Sequence, residues 1–140
     1  MPDVEELAAD PRLVAALAAA RCVRFDEPGA LYAISDMEVA NVVRARGADF
    51  VLGVQSRSSA EREVCRTDDL ELIFDYLRFE LRSSVHLVHR GDILPPGFEI
   101  ESDPGTLTLV GPDNGWRLTV PDGIGARRGL IAFAIEGRNR

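Results

Sequence analysis

The stretch between residues 68 and 84 constrains the fold of this chain more than any other. Its apolar side chains repeat at the i, i+3, i+4, i+7 spacing of a helix, at Leu70, Ile73, Phe74, Leu77 and Leu81. Asp68 followed by Glu71 is typical of a capping box, which places the start of the helix there. Tyr76 and Phe79 lie outside this apolar stripe, so we expect the helix to pack on more than one side and to be the central core helix.

The residues before this helix predict two antiparallel strands. FVLGVQS, residues 50–56, is apolar and partly β-branched, and SRSSAE, residues 56–61, is a polar turn. REVCRT, residues 62–67, alternates the apolar Val64 with charged neighbours, as an edge strand does. We therefore expect a hairpin that runs directly into the central helix.

The residues after the helix predict a three-stranded meander. A Leu-Pro-Pro-Gly breaker at 94–97 is followed by the short apolar runs FEIES, TLTLV and WRLTV. Asp103-Pro104-Gly105 joins the first two runs, and Asp113-Asn114-Gly115 is a type I′ turn signal ahead of the third. The last apolar stretch, GLIAFAI at 129–135, is too short and too weakly periodic to distinguish a strand from a helix.

The N-terminal part of the chain contains one clear helix and one ambiguous segment. Asp10-Pro11 is an N-cap and first-turn pair, and it predicts a helix over about residues 11–21. The apolar face of that helix consists of Leu13, Val14, Leu17 and Ala20. Residues 36–46 are ambiguous, because Ser35 with Glu38 is consistent with a helix cap whereas three β-branched valines favour a strand. We prefer the strand.

Together these elements predict an α+β fold. A mainly antiparallel sheet packs against the central amphipathic helix (about 68–84) and the N-terminal helix (about 11–21). The chain has 140 residues and no internal repeat, low-complexity block or linker. We therefore expect a single domain over residues 1–140.

Composition narrows the choice of partners. The net charge is −7, and all sixteen basic residues are arginine. A chain of this charge repels phosphate backbones, so we expect no nucleic-acid partner. No apolar run approaches the roughly 18 residues that span a bilayer, so we expect no membrane partner. Cys22 and Cys65 lie in different elements and are interpreted as two buried thiols, which favours a reducing, cytoplasmic setting.

No catalytic or metal-binding motif in this sequence is complete. His86 and His89 are the only histidines, and no Cys, His or carboxylate cluster supplies the three or four ligands of a zinc site. The chain lacks GxSxG, and GIGARRG at 123–129 has neither the P-loop nor the dinucleotide-binding spacing. We therefore expect no enzyme, cofactor or metal.

The order of these features resembles a known family. Between residues 48 and 120, a strand ending in Ser56-Arg57 and a polar turn precede a strand into Thr67-Asp68-Asp69 and a helix with Asp-Tyr-Leu at its centre; Arg82, Pro-Pro-Gly and a meander follow. This order resembles immunity proteins of bacterial polymorphic toxins, specifically the actinobacterial family that contains the immunity factor for tuberculosis necrotizing toxin. The resemblance implies a cytoplasmic antitoxin that binds a secreted NAD-hydrolysing toxin, blocks its active site and has no catalytic residue of its own.

An inhibitor of this kind requires a rigid scaffold whose acidic loops complement a basic cleft on the toxin. By this hypothesis the partner contacts lie at exposed turns, at Arg57, Glu61, Asp103, Asp113 and Asn114. The alternative is a small-molecule or peptide-binding module without catalytic activity, in which Trp116 and the meander form a pocket. The sequence is compatible with a homo-oligomer but does not indicate one.

Overall fold

Eight strands form one antiparallel sheet in the computed structural model, which describes residues 2–57, 59–82 and 93–137. The strands are β1 (Val23–Arg24), β2 (Tyr32–Ser35), β3 (Val39–Arg46), β4 (Asp49–Ser56), β5 (Arg62–Thr67), β6 (Glu99–Asp103), β7 (Thr106–Val110) and β8 (Arg117–Pro121). Their order across the sheet is β1-β2-β3-β4-β5-β8-β7-β6, because the chain crosses from β5 to the far edge and returns through the meander.

The helices pack on one face of this sheet. They are α1 (Val4–Ala8), α2 (Pro11–Ala20), α3 (Leu70–Leu81) and α4 (Ala126–Ala132), and a π-helical turn, Phe133–Gly137, continues α4. The predicted α+β class, with an antiparallel sheet against a central and an N-terminal helix, is therefore confirmed. In the part of the chain that the structure describes, no helix has both the length and the apolar character needed to cross a bilayer.

Side-chain caps fix where the helices begin. The Asp10 carboxylate accepts a hydrogen bond from the Arg12 backbone N–H at 2.8 Å and begins α2, as predicted. The N-cap of α3 is Asp69 rather than Asp68, because the Asp69 carboxylate accepts from the Leu72 N–H at 3.2 Å. Residues 83 and 84 of the predicted central helix lie outside the described residues.

The central helix α3 lies between the sheet and the N-terminal helices. It contacts β4 and β5 on one side and α1 and α2 on the other. Nine of its 12 residues are buried, which confirms the prediction that it packs on more than one side. The buried set includes Arg78, whose Nη1 lies 3.4 Å from Asp75 Oδ1 and 4.0 Å from Asp10 Oδ2. An ionic contact therefore links α3 to the start of α2.

Other interpretations are resolved by the sheet topology. Residues 39–46 form β3, so the preference for a strand within 36–46 is confirmed. The apolar run at 129–135 is helical and lies in α4 and the π-helical turn. The prediction that β5 is an edge strand is wrong, because β5 has β4 on one side and β8 on the other. Its charged residues mark a sheet face without helices, not an open edge.

The apolar face of α2 also differs from the prediction. Leu13 and Ala16 are the buried residues of this helix, whereas Val14 is half-exposed. The buried side therefore contains Leu13 as predicted, Ala16 in place of Val14, and Leu17, which packs partly buried against the core.

The connection between β7 and β8 brings an indole ring against the backbone. Asp113 and Asn114 have φ angles of 58° and 54°, as the central residues of a type I′ turn do. Trp116 lies so close to Gly111 that a Cβ added there would be 2.4 Å from the ring. The same ring packs edge-on against Phe98 and Phe133, with centroid distances of 5.8 and 6.2 Å. Trp116 thus joins the meander to the helix layer.

We expect Gly111→Ala to lower the free energy of unfolding by about 1–3 kcal/mol, because the new methyl group overpacks the site. Gly111 has an ordinary φ of −74°, so the loss would come from the contact with Trp116 and not from backbone strain. Chemical denaturation measures the effect. Gly123→Ala is the matched control, because a Cβ there meets open space. Equal losses in both variants would contradict this account of Gly111.

Candidate functional site

The turns of the sheet lie at two opposite ends. The strand registers place the β2–β3, β4–β5 and β6–β7 turns, and the segment after β8, at the same end. We call this the groove end, and it comprises residues 36–38, 57, 59–61, 103–105 and 122–125. Backbone hydrogen bonds join neighbouring turns, from the Arg57 N–H to the Glu38 carbonyl at 3.1 Å and from the Asp122 N–H to the Gly105 carbonyl at 3.0 Å.

The five predicted partner contacts are divided between the two ends. Arg57, Glu61 and Asp103 lie at the groove end, whereas Asp113 and Asn114 form the β7–β8 turn at the opposite end. The five-residue strand β7 separates Asp103 from Asp113 and spans roughly 17 Å. The predicted residues therefore belong to two surfaces rather than to one.

A groove runs along the helix-bearing side of the sheet at the groove end. It has two lobes of about 640 and about 700 Å³, and Asn41, Val54 and Glu80 line both. The last turns of α2 and α3 border the first lobe, and the segment that leads from β8 into α4 borders the second. Both volumes lie within the range of ordinary ligand pockets.

The charged groups of the groove are mostly acidic. Among its described lining residues are four carboxylates and two guanidinium groups, on Asp36, Glu63, Glu80, Asp122, Arg62 and Arg82. Burial raises the pKa of the Glu80 carboxyl, and the hydrogen bond with Tyr76 and the charge of Arg62 oppose that rise. Burial also raises the pKa of the Tyr76 hydroxyl far above its usual value. The groove therefore favours a cationic group over an anionic one.

Two large apolar side chains project into solvent beside the groove. Ile124 is fully exposed, lines the second lobe and lies between Gly123 and Gly125. Met37 is 82% exposed and follows Asp36, which lines the first lobe. Sequence reasoning missed both residues, although an isoleucine between two glycines after a strand is a detectable signal of an exposed apolar turn.

Met37 also has an unfavourable backbone conformation. Its φ is +81°, in the left-handed region that costs a non-glycine residue about 1–2 kcal/mol. Hydrogen bonds hold the turn in this shape: the Ser35 hydroxyl accepts from the Met37 N–H at 3.0 Å, and Asp36 Oδ1 accepts from the Glu38 and Val39 N–H groups. Consequently, the exposed methionine is held in a defined position.

Ion pairs cover the face of the sheet opposite the described helices, which we call the helix-free face. Arg44 donates from both Nε and Nη2 to the Glu61 carboxylate at 3.1 Å and lies 3.5 Å from Glu27. Glu63 lies 3.6 Å from both Arg46 and Arg66. Further along the same face, Arg117 pairs with Glu101, and the Thr108 and Thr119 hydroxyls hydrogen-bond each other at 2.8 Å. These side chains satisfy one another within the protein.

Glu61 is consequently not a free loop residue. It is partly buried and folds over Gly53, where an added Cβ would lie 2.8 Å from Glu61 Oε2. Arg57 is exposed, and its Nη1 lies 3.9 Å from Glu38 Oε1. Asp103, Asp113 and Asn114 are exposed as expected for turn residues. Of the contacts predicted at the groove end, Arg57 and Asp103 are the more accessible to a partner.

The remaining candidate groups are two cysteines and two histidines. Cys65 is fully buried and Cys22 partly buried, and burial raises the pKa of both thiols. Over residues 2–57, 59–82 and 93–137, no cluster of three His, Cys, Asp or Glu side chains is placed to hold a metal ion. His86 and His89 lie outside the described residues.

The raised pKa of Glu80 predicts a pH-dependent stability. At a pH between 4.5, the ordinary pKa of this carboxyl, and its raised pKa in the folded protein, the folded protein holds a proton that the unfolded chain has released. The free energy of unfolding therefore falls as the pH rises through this range. Glu80→Gln cannot ionise. We therefore expect its free energy of unfolding, relative to the unsubstituted protein, to increase between about pH 4 and about pH 7. Denaturant titrations measure it, with Glu99→Gln as a charge-matched control; a difference that stays constant or decreases would refute the assignment.

Comparisons with known proteins show the fold. No protein-family model matches this chain, and no curated protein does. Among solved structures, Rv3902c from M. tuberculosis is similar with a TM-score of 0.69 and 13% sequence identity. The match covers 97% of this chain and 86% of that one. The chain therefore shares the fold of Rv3902c over nearly its whole length, and at this identity the likeness extends to the fold alone.

Proposed function

We propose that this chain is an immunity protein that binds a cognate secreted bacterial toxin and occludes its active site. The observation that carries the proposal is the preformed groove end of an acidic chain, whose turns are held by antiparallel pairing and by backbone hydrogen bonds between neighbouring turns. A surface that is ordered before binding loses little conformational entropy in the complex, which favours tight inhibition.

The resemblance noted in the sequence supports this class. The strand, turn, strand, helix and meander on which it rests correspond in the fold to β4, β5, α3 and β6 to β8. The net charge of −7 is suited to a basic cleft on the partner, because complementary charge raises the association rate and rejects wrong partners. By the same resemblance, the target is an NAD-hydrolysing toxin and the complex forms in the cytoplasm.

Co-expression with the toxin domain encoded next to this chain tests the proposal. We expect cells to survive, NAD content to be preserved and the two proteins to co-purify as a stable complex. Survival with a complex but without any link to NAD would keep the immunity function and change the target. If the cells do not survive and no complex forms, the proposal is refuted.

Single charge reversals test whether the predicted turns contact the toxin. Asp103→Arg and Asp113→Arg should affect affinity unequally, because the two carboxylates lie at opposite ends of β7. A reversal inside the interface should weaken binding roughly tenfold or more, and one outside it should leave affinity nearly unchanged. Titration calorimetry measures both. Equal losses would mean that the toxin contacts both ends, and a double variant with unchanged affinity would exclude both turns.

The groove favours one alternative, a small-molecule or peptide-binding module without catalytic activity. Its lobes of about 640 and about 700 Å³ are large enough for a ligand, and polar groups converge at Glu80. Trp116 does not belong to this pocket, because its ring packs against Gly111, Phe98 and Phe133. A melting temperature that rises with a metabolite and not with the toxin would favour this alternative.

A further inference from the structure

We propose that the groove end is the surface that binds the partner protein, with Met37 and Ile124 as apolar anchors on either side of a groove that receives a basic loop. This inference rests on the proposed function and extends it by naming the surface and the chemistry of the segment that the surface accepts. It also excludes the opposite end of the sheet, where Asp113 and Asn114 lie, from the contact.

The first argument is the exposure of the two side chains. Protein interfaces concentrate their binding energy in a few apolar or aromatic residues surrounded by polar ones, and methionine is enriched there. Met37 and Ile124 project from two turns at the same end of the sheet, and Asp36, Glu38 and Asp122 lie within two residues of them in the sequence. The groove lies between these two turns.

The second argument is the backbone of Met37. Among the described residues, the other non-glycine positions with positive φ are Arg21, Asp113 and Asn114. Arg21 ends α2 as a left-handed C-cap, and Asp113 and Asn114 form a type I′ turn. Met37 is the first central residue of the two-residue β2–β3 turn, where a type II′ turn requires positive φ and prefers glycine. The turn therefore carries an exposed methionine where glycine fits better, which places an apolar side chain in solvent at the groove end.

The third argument is charge. Glu63 pairs with Arg46 and Arg66, and among the other described charged residues that line the groove carboxylates outnumber guanidinium groups three to two. The helix-free face is less suited to a partner, because its arginines and glutamates already pair with one another at 3.1–3.6 Å. A loop that carries lysine or arginine complements the groove, whereas an acidic or phosphorylated segment is repelled by it.

The decisive variants are Met37→Gly and Ile124→Ser, measured in the full chain against the adjacent toxin domain by titration calorimetry. Each should weaken the complex by more than tenfold. Met37→Gly should melt at the same temperature as the unsubstituted protein or higher, because glycine relieves the strained φ. Asp122→Asn should slow association, most strongly at low salt.

Two control variants match these substitutions elsewhere on the molecule. Asn114→Gly makes the same change from a positive-φ residue to glycine at the opposite end of the sheet. Val14→Ser removes a half-exposed apolar side chain of α2 that does not line the groove. Both controls should bind the toxin domain like the unsubstituted protein.

Three outcomes would overturn the inference, and they are distinguishable. If the unsubstituted chain forms the complex while Met37→Gly and Ile124→Ser bind equally well, the proposed function stands and the groove end is not its interface. If the unsubstituted chain forms no complex, the proposed function fails and the inference fails with it. If sedimentation shows a dimer of the free chain that Ile124→Ser abolishes, a second copy rather than a toxin covers this end.

Discussion

The burial of α3 on nearly all sides is the constraint on which the rest of the structure depends. The sheet contacts this helix through β4 and β5, and α1 and α2 cover its other side. Because Arg78 is buried as well, the contacts to Asp75 and Asp10 offset the cost of removing its charge from water. The end of the helix is less deeply buried: Glu80, Leu81 and Arg82 line the groove between α2 and β4. The position of the groove therefore follows from where the helix layer ends.

The two faces of the sheet differ in polarity. The helix-bearing face is apolar and forms the core, whereas the opposite face remains unpartnered by any described helix. On that face, Arg44 bridges Glu27 and Glu61, and Arg66 lies beside Glu63. Exposed ion pairs of this kind contribute little stability individually, at about 0–1 kcal/mol each. Their main effect is to give β5, an interior strand, a polar outer surface without leaving unpaired charges on it.

Elements set by local patterns were predictable, and features set by distant residues were not. Three elements were identified from signals that lie within a few neighbouring residues. These signals are the i, i+3, i+4, i+7 apolar spacing of α3, the Asp10-Pro11 start of α2 and the turn residues of the meander. The alternation in β5 did not predict its two faces, because a bulge opposite Leu52 and Gly53 shifts the register within the strand. Alternation also carries no information about lateral neighbours, so the interior position of β5 was missed. The groove brings together residues as far apart in sequence as Cys22 and Glu80, which no local pattern reveals.

A sequence that specifies one fold has backbone preferences, hydrophobic patterns and turn residues that agree with that fold at most positions. Positions where they disagree with the fold are therefore candidates for a functional role. At the groove end two exceptions occur together: Met37 has a backbone conformation suited to glycine, and Ile124 exposes an apolar side chain between two glycines. The Asp36 carboxylate stabilises the first of these turns through two backbone N–H groups, so the strain is held in place rather than relaxed. Folding alone favours neither residue. Both lie on turns at the same end of the sheet, beside the groove, where a partner protein would contact them together.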